Sequence, residues 1–267
     1  MNVKMIASDL DGTLFAADHQ LSERTIAAVR AADAAGIRIV AATGRSSTST
    51  VPRISRASVI RHAVCSNGSL VHDVHDDVTG HRFPIDPDHL ARFFDLVAEL
   101  DPRHSLSWET DHGNGWDDTF ADIAFTHDDL GETPTLATRP QAHHRTTKLM
   151  VQHPDHEQEE LRERLLPHLV DPLTVSCSGV EFVEVTGDGV NKSTGLTHLC
   201  RAWNIDPSEV LAFGDNHNDV GMLTWAGHGV AMGNAAPSAL AAADEVIGDH
   251  RDDAVAMYIE SIVEARS

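Results

Sequence analysis

The stretch Met5–Phe15, MIASDLDGTLF, places two carboxylates, Asp9 and Asp11, directly after a short apolar run. The run from Val3 to Ala7 has the length and the apolar character of a buried strand, so Asp9 is expected at the carboxyl end of that strand. In open α/β sheets, ligands bind outside the carboxyl ends of the strands. This stretch therefore predicts that Asp9 and Asp11 lie side by side and shape one site.

A second Asp-x-Asp pair in the chain provides a comparison. Asp86 and Asp88 flank Pro87, and the helix-forming stretch HLARFFDLV follows them. Helix capping by Asp86, with the proline at the first helical position, explains that pair fully. No such helix accounts for Asp9 and Asp11, which favours a role in chemistry.

The sequence around the first motif alternates strands with helices. Ser22 is the predicted N-cap of a helix that stops at Gly36, and a second strand, residues 37–42, follows it. A third strand is predicted to end at residues 66–68. Near the carboxyl end, a strand at residues 210–213 precedes a short helix, another strand and a final helix. This rhythm predicts an α/β fold with a Rossmann-like parallel sheet covered by helices on both faces.

The middle of the chain differs from the rest in its amino-acid composition. Residues 83–188 are richer in histidine and proline and mix predicted helices with predicted strands. We interpret them as an α+β domain inserted into the α/β core, so that the core consists of residues 1–82 and 189–267. The chain contains no visible internal repeat or low-complexity tract.

Composition narrows the classes of partner. The 267 residues carry a formal net charge of −21 with only three lysines, so nucleic acid is an improbable partner. No run approaches the roughly 20 apolar residues of a membrane span, and the first residues do not resemble a signal peptide. We expect a cytoplasmic protein with no membrane partner. The three cysteines lack metal-binding spacing and are predicted to be buried thiols.

Further polar residues fall at the other predicted strand ends. Three carboxylates in one site repel each other unless a cation is present, and an oxygen-only ligand set suits Mg²⁺. A hydroxyl, backbone N–H groups and a lysine suit a phosphoryl group. Together they predict Mg²⁺-dependent phosphoryl transfer. The residues concerned, besides the first two aspartates, are Thr43, Gly44, Lys192, Asp215, Asn218 and Asp219.

Four motifs resemble those of the haloacid dehalogenase (HAD) superfamily of phosphatases. They are DLDGTL, ATGR, the lone lysine in GVNKSTGL, and FGDNHNDVGML. The long insertion between the second and third motifs is similar to that of the Cof-type branch, subfamily IIB, with a large type 2 cap. The resemblance extends over essentially the whole chain and implies a HAD core with an inserted α+β cap that closes over the site.

The resemblance also implies roles for individual residues. Asp9 would be the nucleophile that forms an aspartyl-phosphate, and Asp11 would protonate the leaving oxygen and then deprotonate the attacking water. The carboxylates of Asp9 and Asp215, with the backbone carbonyl of Asp11, would bind Mg²⁺. The remaining roles are phosphate binding by Thr43, Gly44, Lys192 and Asn218, support of the loop by Thr13, and orientation of the site by Asp219.

Several alternatives stay open at this point. Sugar phosphates are the first expectation for substrate, by resemblance, while nucleotide, flavin and pyridoxal phosphates are not excluded. A phosphomutase or phosphotransferase, or a non-catalytic sensor of phosphorylated ligands, would use much of the same site. A monomer or a homodimer is expected.

Some side chains have two interpretations each. Arg45 either helps to bind substrate or pairs with a nearby acid. The histidine pairs at 72 and 75 and at 143 and 144 suggest a transition metal, but chance clustering is the better account among 18 histidines. Trp108, Trp116 and Phe120 could line a substrate pocket, yet core packing is at least as good an explanation.

Overall fold

The computed structural model of the chain describes residues 2–117, 119–120, 139–140, 144–179 and 181–266. The chain divides into two compact units. The core unit consists of Met1–His81 and Asn191–Ser267, and the inserted unit is Arg82–Val190.

The strands described are, in chain order, β1 (Met5–Ser8), β2 (Arg38–Ala42), β3 (His62–Cys65), β4 (Leu70–Asp73), β5 (Val78–Arg82), β6 (Ser105–Thr110), β7 (Gly113–Trp116), β8 (Lys148–Gln152), β9 (Thr174–Ser176), β10 (Val183–Thr186), β11 (Val210–Gly214), β12 (His228–Ala231) and β13 (Glu245–Val246).

The helices described are α1 (Glu23–Ala34), α2 (Ser47–Ile54), α3 (Pro87–Leu100), α4 (Gln158–Leu165), α5 (Lys192–Trp203), α6 (Val220–Trp225), α7 (Pro237–Ala242) and α8 (Ala254–Glu264).

The core unit is built on an eight-stranded sheet with the order β13-β12-β11-β1-β2-β3-β4-β5. Strands β13 to β3 pair in parallel, and β4 is antiparallel to β3. Ser8 at the end of β1 is level with Phe213 in β11 and Ala41 in β2. The carboxyl ends of four adjacent strands therefore lie together, and the residues that follow them are Asp215, Asp9, Thr43 and Ser66. The predicted α/β fold is confirmed.

Helices cover this sheet with apolar side chains. Ile26 and Val29 of α1 pack with Val255 and Ile259 of α8 in the main core cluster of this unit. Ser22 caps α1 as predicted, since its Oγ accepts the backbone N–H of Thr25 at 3.0 Å. These helices hold β1 at the centre of the sheet, where all four of its residues are buried.

The inserted unit contains a five-stranded antiparallel sheet with the order β7-β6-β8-β10-β9. Helices α3 and α4 pack on one face of this sheet through apolar residues that include Phe93, Val97 and Leu161. Trp108 belongs to the same core and is 1% exposed. Phe120 packs with Met150, Phe182 and Trp116 in a second cluster. Core packing is therefore observed for Trp108 and Phe120, while Trp116 is partly buried beside the second cluster.

Three smaller expectations can be compared with the structure. Asp86 caps α3, because its Oδ1 accepts the backbone N–H of Asp88 at 2.9 Å. All three cysteines are buried thiols, and burial raises the pKa of Cys177 to about 12 and that of Cys200 to about 11. Among the described helices, none combines the length and apolar composition needed to cross a bilayer.

Candidate active site

The loop after β1 forms one wide turn over Leu10–Leu14. The Asp9 carbonyl accepts the N–H of Leu14 at 3.3 Å, and the Leu10 carbonyl accepts that of Phe15 at 2.8 Å. Gly12 has a left-handed φ of +73°, and a Cβ there would lie 2.4 Å from Asp215 Oδ2. Glycine at this position therefore allows the turn to approach Asp215 closely.

A buried lysine joins two of the predicted aspartates. The Nζ atom of Lys192 donates to Asp9 Oδ1 at 2.6 Å and to Asp219 Oδ1 at 2.7 Å, and its side chain is fully buried. Burial alone would lower the pKa of Lys192, but the charges and hydrogen bonds of Asp219 and Asp9 raise it above its ordinary value. The lysine is therefore a fixed positive charge at the end of β1.

The negative charge of the carboxylates around Lys192 exceeds the single positive charge of that lysine. Burial raises the pKa of Asp9 well above its ordinary value, and the nearby Asp219 and Asp215 raise it further against the opposing effect of Lys192. Burial and the charge of Asp219 likewise raise the pKa of Asp215 to about 6. Thr13 Oγ1 donates to Asp215 Oδ1 at 2.8 Å and fixes its position. Additional positive charge at this site would favour the ionised forms.

These carboxylates suit a cation. Asp9, Asp215 and Asp219 each offer an oxygen within 4.8 Å of the others, and no other group of three metal-ligating side chains converges in this way within the described ranges. An all-oxygen set fits Mg²⁺. Both oxygens of Asp219 already accept hydrogen bonds, Oδ1 from Lys192 and Oδ2 from the N–H groups of Asp215 and Asn216 at 3.0 Å. Asp219 is thus placed to orient the site, and Asp9 and Asp215 are better placed to bind an ion.

Asp11 has different partners from Asp9. Arg45 donates to both of its oxygens, from Nε to Oδ2 at 2.6 Å and from Nη2 to Oδ1 at 2.7 Å, and His19 Nδ1 lies 2.9 Å from Oδ1. Burial alone would raise the pKa of Asp11, but Arg45 and then His19 lower it below its ordinary value. Of the two interpretations of Arg45, pairing with an acid is therefore observed, and the acid is the predicted proton carrier. His19 was missed, because nothing in its local sequence marks it.

The predicted phosphate-binding residues lie around the ends of β2 and β11. Thr43 is buried, and its Oγ1 accepts the backbone N–H of Arg45 at 3.1 Å, while Gly44 follows it ahead of α2. Asn218 Nδ2 donates to Asn67 Oδ1 at 3.0 Å. The backbone N–H of Asn67 donates to the Thr43 carbonyl at 3.1 Å. Asn67 thus connects two predicted ligands of phosphate, although the sequence analysis assigned it no role.

Two other contacts bear on sequence expectations. Asn234 Nδ2 donates to the Gly12 carbonyl at 2.9 Å, so the segment after β12 also supports the first loop, a role that the sequence analysis missed. The ring of His72 contacts Thr79 Oγ1 at 3.2 Å and Asp77 Oδ1 at 3.1 Å and forms no metal group with His75. His143 lies outside the described residues.

The fold and the site define a phosphatase of the HAD type: a parallel sheet with clustered aspartates and a lysine at its carboxyl edge, and an inserted antiparallel sheet. The chain belongs to the haloacid dehalogenase-like hydrolase family, whose sequence profile matches residues 6–259. The predicted membership is confirmed.

Named relatives agree with this assignment. Pyridoxal phosphate phosphatase YbhA of Escherichia coli is 29% identical over 280 residues, which cover 98% of this chain and 99% of the relative. An HMP-PP phosphatase of Cronobacter sakazakii is 30% identical over 260 residues, which cover 95% and 93%. The structure of a sugar phosphatase of HAD subclass IIB matches with a TM-score of 0.82 at 24% identity and covers 97% of this chain and 99% of that chain. The protein is a phosphatase that acts on small phosphate esters.

Proposed function

We propose that this phosphatase depends on Mg²⁺ and hydrolyses phosphate monoesters of small metabolites through an aspartyl-phosphate on Asp9. The observation that supports the proposal most directly is the buried contact of 2.6 Å between Asp9 and Lys192, with two further carboxylates beside it. A nucleophilic carboxylate that attacks a phosphate needs such a cation, because like charges otherwise repel. A cytoplasmic enzyme that is a monomer or a homodimer remains our prediction.

The metal would be held by the carboxylates of Asp9 and Asp215 and by the backbone carbonyl of Asp11. When bound, Mg²⁺ offsets the charge of the carboxylates and of the phosphoryl oxygens. Thr13 fixes Asp215 for this purpose, and Asp219 fixes both Lys192 and the backbone at Asp215.

The reaction has two steps, and the same protein residues act in both. A carboxylate oxygen of Asp9 attacks phosphorus while the bond to the leaving oxygen breaks, and Asp11 gives that oxygen a proton. Asp11 then takes a proton from the water that hydrolyses the aspartyl-phosphate and releases inorganic phosphate. Arg45 and His19 favour the carboxylate form of Asp11, which the second step requires, so Asp11 must carry its proton in the first step against their effect on its pKa. Lys192, Asn218, Thr43 Oγ1 and the Gly44 N–H bind the phosphoryl oxygens.

Sugar phosphates remain our first proposal for the substrate. Pyridoxal phosphate comes second, because a relative that covers 98% of this chain is named for it. The substrate panel should therefore contain both sugar phosphates and pyridoxal phosphate.

The experiment is release of inorganic phosphate from a panel of sugar, nucleotide, flavin and pyridoxal phosphates, with Mg²⁺ or with EDTA. We expect activity that EDTA removes and that Asp9→Asn lowers by on the order of 10³-fold or more. Asp86→Asn is the matched control, because asparagine caps a helix as well as aspartate does and activity should persist. Mass spectrometry should detect covalent phosphate on the wild type and none on Asp9→Asn.

Other outcomes would overturn the proposal. Full activity in EDTA would show that the reaction does not need the metal. Full activity of Asp9→Asn would show that Asp9 is not the nucleophile. Isomerised sugar phosphate without free phosphate indicates a phosphomutase. Binding across the panel without turnover indicates a sensor.

A further inference from the structure

The turn Ser66–Gly68, which follows β3, has an unusual backbone. Ser66, Asn67 and Gly68 are all left-handed, with φ values of +51°, +53° and +98°. Side chains other than glycine adopt this conformation infrequently, and such residues persist where surrounding contacts hold them, often at functional sites. A Cβ on Gly68 would lie 1.8 Å from the carbonyl oxygen of Asn191, the N-cap of α5. The turn therefore packs directly against the start of the helix that carries Lys192.

The same turn is fixed to the end of β2. The backbone N–H of Ser66 donates to the Arg45 carbonyl at 2.8 Å, and that of Asn67 donates to the Thr43 carbonyl at 3.1 Å. Asn67 is 3% exposed. Its position is thus determined from two sides, by the loop after β2 and by the start of α5.

The side chain of Asn67 forms an incomplete pair with Asn218. Asn218 Nδ2 donates to Asn67 Oδ1 at 3.0 Å, while Asn67 Nδ2 and Asn218 Oδ1 are buried and have no hydrogen-bond partner. Exchanging O and N in both amides leaves the number of hydrogen bonds between them unchanged. One NH₂ and one carbonyl oxygen therefore stay unpaired in either assignment. Buried amide groups without a partner are rare in folded proteins and indicate a site for a ligand or an ordered water.

We infer that Asn67 is a further phosphate-binding residue, which pairs with the amide of Asn218 so that the NH₂ left unpaired by the two side chains is offered to a phosphoryl oxygen. The inference rests on the proposed function for the identity of the ligand. An amide donor is chemically suited to this ligand, because hydrogen bonds to an anionic oxygen are stronger than those between neutral groups. The chemical class recognised is a phosphate monoester or inorganic phosphate.

The test is the dissociation constant of inorganic phosphate, measured by calorimetry in the presence of Mg²⁺, for Asn67→Gly against the wild type. Glycine keeps the left-handed backbone and removes the amide. Asn204→Gly is the matched control, because Asn204 is also left-handed, with φ of +54°, and lies exposed at the end of α5. We expect the constant to rise about 10-fold or more for Asn67→Gly and to stay unchanged for Asn204→Gly.

Kinetics give a second readout that loss of structure alone would not produce. For a phosphate ester that the wild type hydrolyses, kcat/KM should fall about 10-fold or more in Asn67→Gly and stay unchanged in Asn204→Gly, with each variant assayed well below its own thermal midpoint. The double variant Asn67→Gly with Asn218→Ala should lose little more than either single variant, because the two amides act as one unit. If Asn67→Gly does not fold, Asn67→Asp keeps the size of the side chain and its tolerance of the left-handed backbone but replaces the NH₂ with an oxygen, and it should weaken phosphate binding at least as much.

Wild-type affinity for phosphate in Asn67→Gly would overturn the inference and assign the unpaired amide to an ordered water. A wild type that binds phosphate but hydrolyses no ester overturns the proposed function, and the comparison of Asn67→Gly with Asn204→Gly still decides the inference. A wild type that neither binds phosphate nor hydrolyses any ester of the panel overturns both.

Discussion

At the scale of single residues, Gly12 shows how one position can determine the geometry of the whole site. Its left-handed backbone closes the turn directly after Asp11, and its missing side chain leaves room for Asp215 Oδ2. Both requirements must be met together. A residue that tolerated the backbone would still displace the second carboxylate of the proposed metal site.

We predict that Gly12→Ala removes activity while Gly36→Ala keeps it. Gly36 is also left-handed, with φ of +81°, but no atom lies within 4 Å of a Cβ placed there. Each alanine should cost about 1 to 2 kcal/mol of folding stability through backbone strain. Only Gly12→Ala should also push Asp215 aside, so its kcat/KM should fall by on the order of 100-fold or more. Steady-state kinetics and thermal unfolding of both variants test this, and comparable activity in the two would contradict it.

The sequence was sufficient to predict which polar residues meet at the candidate site, but not all of the hydrogen bonds and ion pairs between them. Asp9, Lys192, Asp215, Asp219 and Thr13 were predicted from their motifs and are in contact. The partners of Asp11 were not predicted, because an ion pair depends on side-chain rotamers and on approach in space, neither of which spacing encodes. Asn67 was missed for a related reason, since its significance lies in unpaired atoms that only the packed structure reveals.

At the scale of elements, the start of α5 positions the lysine. Asn191 Oδ1 accepts the backbone N–H of Ser193 at 2.9 Å, and Thr194 Oγ1 accepts that of Asn191 at 3.1 Å, which forms a reciprocal cap. Lys192 is the first residue of the helix, so this cap fixes its backbone directly. The start of a helix also favours anions, because its free N–H groups and its dipole are positive.

Asn191→Ala should therefore lower activity by more than its loss of stability explains. Removal of an N-cap costs about 1 kcal/mol, and the freed first turn should displace Lys192 from Asp9. Ser22→Ala is the control in the same unit: it removes the cap of α1 and also a hydrogen bond of 2.7 Å to Asp253. If Ser22→Ala loses as much kcat/KM as Asn191→Ala at a similar thermal midpoint, the effect is one of stability and the argument is wrong.

Most helices, and the strands of the parallel core other than the two-residue edge strand β13, were predicted within a few residues, because apolar periodicity and caps mark them. The hairpin strands β4, β5, β6 and β7 were not. The turn between β4 and β5 contains Asp77 at φ of +52° without the Asn-Gly pair that signals a hairpin. In β6, serine and glutamate alternate with apolar residues, yet five of the six residues are buried. The alternation of polar and apolar residues therefore does not correspond to one exposed face and one buried face in this strand.

At the scale of the whole molecule, the proposed metal couples the site to global stability. The chain carries a formal net charge of −21, and its site adds buried carboxylates whose ionised forms are disfavoured without a cation. A ligand that binds only the folded state stabilises it. Mg²⁺ should therefore act on the free energy of unfolding as well as on catalysis.

We predict that Asp215 makes the chelated protein less stable as the pH rises from about 4 to above 6. The pKa of Asp215 is raised from 3.8 to about 6 in the folded state, so the folded state binds more protons than the unfolded state between these values. The stabilising contribution of this carboxyl is therefore complete below pH 3.8 and is lost as the pH rises through about 6. Asp215→Asn should remove that part of the pH dependence, whereas Asp33→Asn, at an exposed aspartate of α1, should retain it.

The measurement is the thermal midpoint of the core unit by calorimetry between pH 4.5 and 7.5, with EDTA or with Mg²⁺. Because Mg²⁺ binds the ionised carboxylates, it should raise the midpoint of the wild type more at pH 7 than at pH 5, and it should raise that of Asp215→Asn much less. Parallel curves for the wild type and Asp215→Asn in EDTA would contradict the raised pKa. An equal effect of Mg²⁺ on both proteins would place the ion somewhere other than between Asp9 and Asp215.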